Sequence, residues 1–381
     1  MDFTLSPEQK RIQKETVEFA KAHFSAPLVE SDQASQFNHD GWKAIADFGL
    51  LKGFAPKEYG GLSWDTLTKV IALEAFGYGC KDNGLCLGVS IVAWPALSPI
   101  IEIGSEAQKQ EYIPKMISGQ CIPTNGITEP ESGSDALSMK TTAKPTEKGY
   151  IINGQKCYIG FGPIADLVIL FAKTDENYGA WGISAFLVET DNPGIQKSSN
   201  KEKMGLRTLP MGDLTFKDCY VPKSSLLGTE GAGLSLFRES MEWERCFILA
   251  TQVGSMKRQL EESIAFAKSR QQFGKPIGDF QSVSNRIADM RSRLEICQML
   301  LYKTAWMKNE GTSAALESSI AKLTISESFL ASSLDAIRIH GAKGFLSEFE
   351  VERNLRDAIG PVIYAGTSDI QRNVIANLCS L

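Results

Sequence analysis

A chain of 381 residues with 43% hydrophobic content can bury a substantial core, divided over two or three domains. A net charge of -5, a pI near 5.5 and the lack of any long basic run exclude nucleic acid as the main partner. The eight cysteines (Cys80, Cys86, Cys121, Cys157, Cys219, Cys246, Cys297, Cys379) form no C-x-x-C pair, and His23, His39 and His340 lack zinc-ligand spacing. Reduced, mostly buried thiols and no metal are therefore expected.

The first element is a helix opening at Ser6-Pro7-Glu8-Gln9, with an N-cap serine, a proline at the first position and a capping-box glutamine. No charged segment with an apolar core precedes it, so no signal peptide and a cytoplasmic location are expected. Helical periodicity continues to about residue 120, broken at Pro27, Pro56 and Gly60-Gly61. Its most apolar run, residues 85–101, contains Pro95 and Pro99 and reads as a buried helix and a turn, too short and broken for a membrane span.

From about Cys121 to Pro222 the period changes to two. Tyr150–Ile152 and Cys157–Ile159 flank Asn153-Gly154, which predicts a hairpin; Leu167–Phe171 and Ile183–Val188 are further strands. After Gly231-Ala232-Gly233 the helical period returns. The order predicts an α+β, mostly α chain of three domains: helical over 1–120, β over 121–225 and helical over 226–381.

No G-x-G-x-x-G follows a strand, so a nicotinamide site of that type has no support. Three other segments carry the functional signal: Thr128-Glu129-Pro130-Glu131-Ser132-Gly133-Ser134-Asp135, Arg270-Gln271-Gln272-Phe273-Gly274-Lys275 and Tyr364-Ala365-Gly366-Thr367-Ser368-Asp369-Ile370-Gln371-Arg372. In order and spacing they resemble the acyl-CoA dehydrogenase family of flavoenzymes, over essentially the whole chain. The resemblance implies an N-terminal helical domain, a central β-barrel-like domain and a C-terminal four-helix bundle. It also implies bound FAD and proton removal from Cα of an acyl thioester, with hydride leaving Cβ. Asn125, Ile127 and Thr128 would pass the flavin edge and Tyr158 would stand beside it. Arg270, Gln272 and Phe273 would reach the adenosine diphosphate part of FAD in a neighbouring subunit, and Gln281, Gly341, Gly344, Thr367 and Asp369 complete the cofactor set. Ser134 and Arg245 match residues near the acyl-carrying arm, and Ala365 and Gly366 the substrate-facing turn. Gly160 stands where the family commonly has a hydroxyl donor.

Ala365 departs from the straight-chain members, which place the catalytic glutamate there. The helix after Gly233 offers Met241-Glu242-Trp243-Glu244-Arg245. Residues three and four from Glu242 are mostly polar, predicting a solvated, ion-paired face; those around Glu244 (Ser240, Met241, Phe247, Ile248) are mostly apolar. A carboxylate on such a face is poorly solvated, which suits a general base and equally a structural glutamate paired to another helix. The resemblance decides for the base, because the isovaleryl-CoA dehydrogenase branch carries its glutamate at this position and also has Ala-Gly-Thr-Ser in the C-terminal motif.

Within the family the chain is most similar to the bacterial branch that oxidises L-prolyl groups on peptidyl carrier proteins, and a branched short-chain acyl-CoA is the other substrate class. The acidic pocket helix suits a prolyl ammonium, and a carrier bearing phosphopantetheine calls for a docking surface of basic character. The resemblance further implies an electron-transfer flavoprotein or oxygen as acceptor and a homotetramer. An acyl-CoA oxidase and a non-catalytic flavoprotein are the remaining readings.

Overall fold

The computed structural model describes residues 4–380. Helices fill the chain up to Ile117, strands dominate from Pro123 to Leu227, and helices return from Gly233. The capping box at Ser6 and Gln9 opens the first helix, Pro7–Phe24. In the C-terminal part, Gly233–Phe247, Ala250–Ser269, Gln281–Asn309 and Ala315–His340 pack as a helical bundle.

Residues 83–103 form one continuous helical path, which corrects the expectation of a broken run. Pro95 removes a helical hydrogen bond and would clash with the preceding turn, and a π-helical segment, Val92–Ala96, absorbs it. This 21-residue path is long and apolar enough to cross a membrane, yet most of it is buried inside the protein, as a core helix would be.

The main sheet runs Ile195–Lys197, Met211–Pro222, Gly149–Gly160, Thr142–Pro145, Leu167–Lys173, Ile183–Glu189 and Leu226–Leu227, with Pro123–Gly126 parallel to Leu167–Lys173 off that path. Leu167, Ile169 and Phe171 join the core shared with the helices, while Val168, Leu170 and Ala172 face a second core inside the sheet. Burial on both faces explains the unbroken apolar run of this strand.

Asn153-Gly154 makes no hairpin. Gly149–Gly160 is one strand, paired along its length with Met211–Pro222. The partner carries an extra residue here: Lys217 and Asp218 oppose Asn153. Asn153 Oδ1 accepts from Asp218 N–H (2.8 Å) and its Nδ2 donates to Asp218 Oδ1 (3.3 Å). The polar side chain and the glycine that signal a turn serve a β-bulge instead.

Candidate active site

Glu244 sits near the end of the Gly233–Phe247 helix, whose first turn packs on the strand Ile183–Glu189. On the same helix, Phe247 and Trp243 pack against Trp94 with ring centroids 4.9 and 5.9 Å apart. Trp94 belongs to the π-helical segment that contacts the strand Pro123–Gly126. One chain of packing thus joins the helix of Glu244 to the strand of Asn125.

The Glu244 side chain is half-buried and makes no hydrogen bond or ion pair with the described residues. Burial raises its pKa to about 7, with Arg245 pulling weakly the other way. Tyr364 lies close enough to feel this carboxylate: burial first, then the charge of Glu244, pushes its phenol above the ordinary value. The Tyr364 hydroxyl lies 3.2 Å from the Gln252 amide. With Oε1 facing the phenol, that amide also donates to the carbonyls of Ile248 (3.0 Å) and Leu249 (3.3 Å).

Glu242 corrects the sequence reading in part. Arg238 and Glu239 on its face are exposed, as a solvated face requires, but Glu242 itself is enclosed: its side chain is 18% exposed and accepts from Lys308 Nζ (3.0 Å) and Ala314 N–H (2.9 Å). Glu242 is thereby committed to neighbouring elements and is not free for a prolyl ammonium. Arg245 makes no ion pair among the described residues, and its Nε is buried without a partner.

The turn after Tyr364 is left-handed at Ala365 (φ 54°) and Gly366 (φ 82°). Both carbonyls accept from Nε2 of the buried Gln371, at 3.2 and 3.1 Å. The Ala365 N–H donates to no described acceptor. Thr367 caps the Ser368–Leu378 helix through Ile370 N–H, while Asp369 is 88% exposed and pairs with Arg372.

Along the Asn125–Thr128 segment, Asn125 Oδ1 is buried without a partner. The Thr128 carbonyl accepts from Cys157 N–H (2.8 Å), and the Thr128 N–H and hydroxyl meet no described protein group. A second bulge, where Cys157 and Tyr158 oppose Asp213, turns Tyr158 outward; it has φ 58° and is 61% exposed. At Gly160 a Cβ would approach Ile91 Cδ1 to 3.0 Å, so Ile91 would have to give way to a hydroxyl-bearing residue there. Ser134 is exposed in the loop after Thr128.

Arg270, Gln272, Phe273, Gln281, Gly341 and Gly344 form a separate group at the ends of bundle helices. Gln271–Gln272 and Lys275–Pro276 make a small hairpin with Phe273 at its tip, 93% exposed. No described hydrogen bond or ion pair ties this loop to the Asn125–Thr128 segment.

The unpartnered Asn125 Oδ1, Thr128 N–H and Ala365 N–H fit a heteroatom-edged ring and its bound thioester. Sequence reasoning missed Gln371, Gln252 and Lys156 as supporting residues. Gln371 lies inside the quoted motif, and Lys156 stands at an inward position of an alternating strand, which is a readable signal for a buried cation.

Models of the acyl-CoA dehydrogenase N-terminal, middle and C-terminal domains match residues 6–120, 124–219 and 231–378. The chain is 41% identical to an L-prolyl-[peptidyl-carrier protein] dehydrogenase of Pseudomonas fluorescens, covering 99% of both. It is 33% identical to a mitochondrial isovaleryl-CoA dehydrogenase of Solanum tuberosum, covering 96% of this chain and 89% of that one. Among solved structures, the prolyl acyl carrier protein oxidase AnaB superposes with a TM-score of 0.98 at 44% identity, over 99% of this chain and 100% of AnaB. PigA with FAD and proline superposes at 0.97 and 37% identity over the whole of both chains. The chain belongs to the acyl-CoA dehydrogenase family.

Proposed function

We propose that the protein oxidises the α,β-bond of an L-prolyl group held as a thioester on a peptidyl carrier protein, in a natural-product pathway. The observation that carries this reading is Glu244: a carboxylate without a protein partner, raised to about 7, near the turn where Ala365 cannot take a proton. Glu244 removes the α-proton, its raised pKa making it a stronger base at neutral pH than an ordinary glutamate. The Ala365 N–H donates to the thioester carbonyl, where charge develops as the proton leaves. Bound FAD supplies the two-electron acceptor for the hydride leaving Cβ.

Asn125, Ile127, Thr128, Tyr158 and Thr367 would line the flavin, and Ser134 and Arg245 the carrier arm. The Arg270–Phe273 loop, Gln281, Gly341 and Gly344 would serve the flavin of a neighbouring subunit. The exposed Phe273 and the lack of any hydrogen bond or ion pair between its loop and the Asn125–Thr128 segment among the described residues support that assignment and an oligomer, taken as a homotetramer. The similarity to the prolyl-carrier relatives of Pseudomonas and Serratia favours the prolyl substrate over a branched acyl-CoA.

Anaerobic bleaching of bound FAD tests the substrate. Rapid bleaching by L-prolyl-carrier protein and not by isovaleryl-CoA is expected; the reverse would make the protein a branched-acyl-CoA dehydrogenase with the same base. Because the solved relative AnaB is described as an oxidase, oxygen is the acceptor to test first, through stoichiometric hydrogen peroxide. An electron-transfer flavoprotein is the alternative acceptor.

A further inference from the structure

Lys156 lies within Gly149–Gly160 with none of its surface exposed. Its Nζ donates to Glu129 Oε1 (2.8 Å) and to the carbonyl of Ile127 (3.0 Å), with Met139 Sδ at 3.8 Å. Glu129 is fixed in turn by the N–H groups of Thr141 (3.0 Å) and Lys140. A buried ammonium therefore grips one carbonyl of the Asn125–Thr128 segment, and the N–H of Cys157, the next residue, takes the following one.

The Ile127 carbonyl belongs to the same peptide unit as the Thr128 N–H. The chain has no cis peptide among its described residues, so that N–H points opposite to the carbonyl, away from Lys156. It is also the N–H that finds no protein acceptor. A charge-assisted bond at the oxygen end fixes the peptide plane and polarises the unit, which strengthens the N–H as a donor. The stem of Lys156 runs beside Gly126, where a Cβ would meet its Cγ at 3.5 Å.

We propose that Lys156, held by Glu129, is a positioning residue that aims and strengthens the Thr128 N–H toward the flavin, preferentially stabilising the reduced ring. This rests on the reading that Asn125–Thr128 lines FAD. Charge delivered to the ring by reduction is where a preorganised donor has most effect. Lys156 thus acts on the cofactor through one peptide unit without touching it.

The decisive readout is the two-electron reduction potential of the FAD-loaded protein, compared between the native chain and Glu129→Gln/Lys156→Met. The double substitution removes the pair together and leaves no lone buried charge. Oxidised FAD should still bind, while reduced FAD binds about tenfold more weakly, a potential lower by about 30 mV. Lys156→Gln serves the same test where the double variant does not fold: a lowered potential supports the clamp, an unchanged one overturns it. Thr128→Ala separates the two ideas through the dissociation constant of oxidised FAD. An unchanged potential with FAD binding weakened by Thr128→Ala overturns the clamp alone. No response of FAD to any of the variants overturns the flavin placement as well.

Discussion

Two glutamates divide the labour of this site. Glu129, 5% exposed, has its carboxylate occupied by Lys156 and by two backbone N–H groups. Burial alone would raise its pKa, but the Lys156 charge and these bonds outweigh it and hold the carboxyl below the ordinary value. Glu244 is half-buried and has no such donors, so burial lifts it to about 7. The contrast teaches that loss of water does not by itself make a base. What separates architecture from chemistry here is whether the protein fills the carboxylate's lone pairs.

The largest effect on stability should come from breaking the filled pair. Glu129→Ala leaves Lys156 as an uncompensated buried cation and is expected to cost about 3–5 kcal/mol in denaturant unfolding. A loss below about 1 kcal/mol would mean that water reaches Lys156 and that the contrast between the two glutamates is weaker than drawn.

A smaller, pH-dependent effect sharpens the other side. Glu244 is raised in the folded state, so the folded protein holds its proton more tightly than the unfolded chain. Its contribution is present below the unfolded value near 4.5 and is lost as pH rises to about 7. Glu244→Gln should therefore raise Tm relative to the native protein above pH 7 and leave it unchanged near pH 4. In the native protein, the single-turnover bleaching rate should climb about tenfold per pH unit below 7 and level off above it.

The smallest effect concerns the surface. Asp369 is exposed and paired only with Arg372, so Asn there should leave Tm unchanged within error, while its place in the cofactor set that the family resemblance implies predicts weakened FAD binding. An unchanged FAD dissociation constant would remove Asp369 from that set.

Much of the fold was legible because its signals are local. The Ser6 cap, the doubly buried Leu167–Lys173 strand and the return of helical period after Gly233 all appear where periodicity puts them. Asn153-Gly154 misled because the same dipeptide suits a turn and a bulge, and the choice was made by Met211–Pro222, far along the chain. The apolar neighbours of Glu244 lie on its own helix, so its environment could be read. The partner of Glu242 could not, since Lys308 comes from another helix and is invisible to helical spacing. Lys156 carried a signal, a charge at an inward strand position, but only tertiary structure shows what it holds.

The most direct test of Glu244 as the base is anaerobic single-turnover bleaching in Glu244→Gln, with FAD content measured on the same sample. FAD should remain bound while the bleaching rate with L-prolyl-carrier protein falls by about two to four orders of magnitude. Bleaching at near-native rate in the FAD-loaded variant would contradict the assignment and require another base.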